Sequence, residues 1–83
     1  MIRVLVADDA RLFREQVGRI LRGYTALKVV AEASSAPEAI EKAKKHRPDM
    51  ILLGIRMAYL NGLQAIPLIK SVAPQSEILI VSQ

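Results

Sequence analysis

Cysteine is absent from the 83 residues, which excludes disulfides and cysteine-ligated zinc. Histidine occurs once, at His46, so a histidine-rich metal site is excluded as well. Aromatic residues are scarce: Phe13, Tyr24 and Tyr59 are scattered and no basic run interleaves with them, so the chain offers no platform for stacking bases. The longest uncharged apolar run is about six residues, against the ~20 needed to cross a bilayer. The opening Met1-Ile2-Arg3-Val4-Leu5 does not read as a secretory leader, because its apolar run is short and meets Asp8 and Asp9 at once. Linkers, repeats and low-complexity stretches are missing too. The expectation is a soluble, cytoplasmic chain with no membrane partner and no direct nucleic-acid binding.

What is present suits one small globular domain. Apolar residues make up 52% and charged residues 24%, a balance that can build a core, although a domain of this size buries only a modest one. Twelve basic residues exceed eight acidic ones, for a net charge of +4. That excess could suit an acidic partner, but the basic residues are spread over separate predicted helices.

Strand and helix signals alternate along the chain. Ile2–Ala7 (IRVLVA) is apolar and rich in β-branched residues, as a strand buried on both faces of a parallel sheet requires. Asp9 then reads as the cap of a first helix, with Leu12, Phe13, Val17, Ile20 and Leu21 on its inner stripe and Gly23 at its stop. Residues 28–33 (KVVAEA) form a second strand. Ser35 and Glu38 have capping-box spacing, and Pro37 suits a first helical turn. Ala36, Ala39, Ile40 and Ala43 are the inner face of that second helix, Lys42, Lys44, Lys45, His46 and Arg47 crowd its end, and Pro48 stops it.

Residues 49–54 (DMILLG) are the third strand and 55–61 a loop. Residues 62–71 form a weaker helix with Leu63, Ile66 and Ile69 inward, in which Pro67 predicts a kink or a late start. Residues 77–82 (EILIVS) form a fourth strand. Alternating strands and helices imply a parallel sheet with right-handed crossovers, and such sheets hold ligands at the carboxyl ends of their strands. Here those ends carry Asp8 and Asp9, the segment 54–56, and Ser82. The adjacent carboxylates Asp8 and Asp9 can bind a hard cation such as Mg2+; equally, Asp9 can be a helix cap and Asp8 a loop acid.

The runs VLVADDARLFRE, VVAEASSAPEAIEKAKKHRPDMILLGIRM, NGLQAI and ILIVSQ together resemble the receiver domain of bacterial two-component response regulators, most of all the NarL/FixJ-like transcriptional regulators. The resemblance covers essentially the whole chain. It implies a three-layer, flavodoxin-like fold, a phosphorelay role in signal transduction, a histidine kinase as partner, and regulation of transcription through a parent protein. By resemblance, Asp8 and Asp9 hold Mg2+, the Arg56 backbone carbonyl completes the metal ligands, and Ser82 bonds the phosphoryl oxygen and moves on activation. Phosphoryl transfer needs its charge met by a metal and fixed donors.

Several positions depart from the family pattern. Gly54 stands where the family has the phosphoacceptor aspartate, and glycine can neither attack phosphorus nor ligate a metal. Asp49 cannot substitute, since it lies at the other end of the same strand, about 15 Å away. No catalytic residue is therefore assigned and no enzymatic activity expected, and any Mg2+ site is weakened by the lost carboxylate. The chain is either a degenerate receiver or one silenced by the glycine. Met57-Ala58 replaces the usual Met-Pro, and Pro67 is unusual.

Against a family sheet of order 2-1-3-4-5, residues 1–83 supply a single truncated domain of four strands in order 2-1-3-4, without the last strand, the last two helices or a DNA-binding domain. EILIVS then becomes an apolar edge, which predicts a homo-oligomer paired through strand 77–82. The alternative is an inactive structural or designed fragment that self-assembles by that strand.

Overall fold

The structure is a computed structural model that describes residues 1–57 and 60–81. Seven elements follow one another: β1 (Ile2–Ala7), α1 (Arg11–Arg22), β2 (Leu27–Ala33), α2 (Ala36–His46), β3 (Met50–Gly54), α3 (Gly62–Val72) and β4 (Glu77–Val81). All strands pair in parallel, in the order β2-β1-β3-β4. This is the expected α/β order.

The sheet has two unequal faces. Leu5 and Ala7 of β1 and Ile51 and Leu53 of β3 join Ala36, Ala39 and Ala43 of α2 and Ala65 and Ile69 of α3 in one buried cluster. Small residues on the helices let α2 lie close to the sheet and α3 lie close to α2. Helix α1 packs on β1 and β2 from the other side. Strand residues alternate in direction, so Val4 and Val6, both buried, point to the α1 face with their register partners Met50 and Leu52. Between β1 and β2 the register skips one residue, Val30, because Val4 pairs with Val29 and Leu5 with Ala31.

The inner stripes are narrower than their sequence suggests. In α1, Phe13, Val17 and Leu21 are half-buried, but Leu12 and Ile20 are 66% and 62% exposed. Gly18 is the buried residue of the helix. In α3 the expected inward Leu63 is exposed, and Gly62, Ala65 and Ile69 make the contact. That helix runs unbroken through Pro67, contrary to the expected late start. Pro67 is exposed and follows the first turn, where water can take the Leu63 carbonyl that the ring leaves without a helical donor.

Caps also differ in detail. Ala10, not Asp9, is the N-cap of α1. Ser35 caps α2 through Oγ, which accepts from the Glu38 N–H, while Glu38 reaches past the cap to accept from the Ser34 N–H at 2.6 Å. Asn61 and Gln64 form a complete capping box on α3. At the far end of α2, Arg47 adopts φ 44°, and the Arg3 guanidinium donates to the His46 carbonyl at 2.8 Å. Arg3 thus supplies a cation to a helix C-terminus from a different element.

Candidate functional site

The carboxyl ends of β1 and β3 lie side by side. Ala7 is in register with Leu53, so Asp8 and Gly54 project next to each other from the α1 face. The Asp8 N–H donates to the Ala33 carbonyl at 3.0 Å, which continues the β1–β2 ladder one residue past β1. Its side chain turns back: Oδ1 accepts from the Ala10 N–H at 2.8 Å. Adjacent acids are indistinguishable in a sequence, and here the first one makes the turn before α1. The pair therefore divides, with Asp8 only 3% exposed and Asp9 exposed.

Position 54 is filled from the side. A Cβ placed on Gly54 would lie 2.3 Å from Asp8 Oδ2, 3.0 Å from Asp8 Cγ and 3.3 Å from the Ala7 carbonyl oxygen. The Asp8 carboxylate therefore occupies the space that a side chain at position 54 would enter. On the other side, Gly62 comes so close that a Cβ there would lie 2.3 Å from the Gly54 carbonyl oxygen, and its N–H donates to the Ile55 carbonyl at 2.7 Å. The loop after β3 thus folds back and seats the start of α3 on the strand end. Gly62 needs to be glycine for that approach, not for its dihedral angles.

Arg14 belongs to this site, although its helical position placed it outside the inner stripe. Its Nη1 donates to the Asp8 carbonyl at 2.7 Å, and its Nε lies 3.4 Å from Glu32 Oε1. Arg56 is exposed in the loop after Gly54. Asp49 sits at the opposite strand end, where Oδ2 accepts from the Arg3 N–H at 2.8 Å, so it takes no part. Ser82 and Ala58 lie outside the described residues.

These groups do not fit a divalent metal as they stand. Among the described residues, no three His, Cys, Asp or Glu side chains gather in a metal-holding group. Asp8 points at the Gly54 backbone and Asp9 toward solvent, whereas a hard cation needs several converging oxygens. The arrangement provides a buried acid beside a fixed guanidinium, with no nucleophile at position 54.

The family model described as the response regulator receiver domain matches residues 4–83. Among curated proteins, the transcriptional regulatory protein LnrK of Bacillus subtilis is 37% identical over 82 residues, which are 99% of this chain and 37% of that protein. Among solved structures, the response regulator domain of Thermotoga maritima CheB superposes with a TM-score of 0.94 at 39% identity, covering 99% of this chain and 60% of that one. The signal receiver domain of the putative response regulator NarL from Mycobacterium tuberculosis gives 0.91 at 38% identity, covering 98% and 65%. The chain thus spans less than two thirds of each, and the superpositions bear out the flavodoxin-like expectation. Among the described residues, no helix is long and apolar enough to cross a membrane.

Proposed function

The chain belongs to the response regulator receiver domain family, and on that premise we propose that it is a two-component signalling module that accepts no phosphoryl group and acts through contacts. The observation that carries this reading is Gly54, with the Asp8 carboxylate lying where an acceptor side chain would be. An acyl phosphate needs an accessible carboxylate oxygen there; the Asp8 carboxylate that fills the space is buried and bonded through Oδ1 to the Ala10 N–H, and Asp49 lies at the other strand end. Mg2+ binding through Asp8, Asp9 and the Arg56 carbonyl is weakened for the same reason. Ser82 keeps its role as the phosphoryl-switch position only by resemblance.

A histidine kinase is the expected partner, in the cytoplasm. Transcription is reached through a parent protein, in keeping with LnrK, a transcriptional regulatory protein. This chain makes no direct nucleic-acid contact in that scheme and has no enzymatic activity of its own. Incubation with acetyl phosphate and Mg2+, followed by intact-mass measurement, is expected to leave the mass unchanged. A hydroxylamine-labile gain of one phosphoryl group would overturn the reading.

A second reading has its own support. Among the described residues, β4 pairs only with β3, and Leu79 at its centre is 56% exposed. In this reading β4 is a template for a second copy, and the chain a self-assembling homo-oligomer without signalling activity. Sedimentation at micromolar concentration tests it: a compact monomer would overturn it.

A further inference from the structure

We propose that the Asp8 carboxylate and any side chain at position 54 compete for one volume, so that Asp8 plugs the strand end and is thereby kept out of a metal site. The bearing on Mg2+ rests on the reading above; the steric part stands on geometry alone. A carbon approaching Oδ2 to 2.3 Å is far inside van der Waals contact. Moving β3 away is opposed from the other side, where Gly62 abuts the Gly54 carbonyl closely enough to leave no room for a Cβ and its N–H bonds the Ile55 carbonyl. Nor does β1 have slack, since the Asp8 backbone is held through its N–H by Ala33 and through its carbonyl by Arg14.

The carboxylate itself must therefore swing out, which breaks its bond to the Ala10 N–H. The swing takes a buried acid off the strand end and toward the open side where Asp9 stands. Loss of the family's third carboxylate at position 54 then has two effects. It removes one ligand, and it lets a second one fold into the gap.

The test is a four-protein cycle: the unaltered chain, G54A, D8A and D8A/G54A, unfolded thermally in chelator. G54A is expected to lower the midpoint by about 5 °C or more. In the D8A background the same substitution is expected to be neutral or stabilising, because alanine costs less backbone entropy than glycine. Equal effects of G54A in both backgrounds would overturn the proposal. Should G54A fail to fold, recovery in D8A/G54A supports it and a double variant that also stays unfolded overturns it. Repeating the scans with Mg2+ reads the metal side: a larger Mg2+ shift for G54A than for the unaltered chain is expected, although alanine adds no ligand. Equal shifts would overturn that side. Failure of the phospho-silent reading would show separately, as a stable acyl phosphate on the unaltered chain.

Discussion

The Arg14 guanidinium ties α1 to the ends of both β1 and β2: Nη1 holds the Asp8 carbonyl at 2.7 Å, and Nε faces Glu32 of β2 at 3.4 Å. The side chain is 15% exposed, so the bond to Asp8 is largely shielded from water. A charged donor to a shielded carbonyl is worth about 1.5–3 kcal/mol, whereas Glu32 is exposed enough for its ion pair to add little. Arg14→Ala is expected to cost about 2 kcal/mol in urea unfolding. Glu32→Gln should cost a few tenths.

Two glycines should respond oppositely to alanine. At Gly62 the new Cβ would meet the Gly54 backbone oxygen at 2.3 Å, and a carbonyl cannot turn aside as a side chain can. Gly62→Ala is expected to destabilise by about 2 kcal/mol or more. At Gly18, inside α1, the nearest obstacle is the tip of Arg22 at 3.9 Å. Gly18→Ala should stabilise by about 0.5–1 kcal/mol through helix propensity. Thermal unfolding of the two variants side by side checks both signs.

The start of α3 depends on a reciprocal cap. Asn61 Oδ1 accepts from the Gln64 N–H at 2.8 Å, and Gln64 Oε1 accepts from the Asn61 N–H at 3.2 Å. Asn61→Ala should cost about 1 kcal/mol, and Asn61→Asp should hold most of the stability. Amide exchange in the first turn of α3 should quicken in the alanine variant alone.

Leu79 separates folding from association. Being 56% exposed and central in β4, it contributes little to the monomer core. Leu79→Lys is expected to change monomer stability by less than about 0.5 kcal/mol while it lowers the sedimentation-average mass of any assembly. An unchanged mass distribution would count against pairing through this strand.

Strand positions are legible because runs such as IRVLVA and MILLG are short and mostly apolar on both faces, as a covered parallel strand is. Their order required the resemblance, since periodicity carries no neighbour information. Leu12, Ile20 and Leu63 are exposed against expectation for a common reason: an apolar side chain signals a preference, while burial depends on how close the element comes and what covers it. Helix α3 comes in on Gly62 and Ala65, residues with no stripe to announce them. At the site, the silence of position 54 was readable from Gly54 alone. The inward turn of Asp8 was not, because it follows from the empty space beside it. The pinning of Arg14 was equally hidden, since helical position says nothing about a reach of several ångströms to a strand end.

The extra residue at Val30 and the Lys42 ammonium on the Glu32 carbonyl both fall on β2, the outermost strand opposite β4. An irregular strand with a lysine on its backbone is disfavoured as a partner for a further strand. Among the described residues, that leaves β4 as the edge on which the proposed pairing would fall. Two copies joined β4 to β4 would present only β2 at each outer margin, and growth would end there. If copies pair through β4 as proposed, the pairing would be self-limiting, a closed dimer and not a fibre.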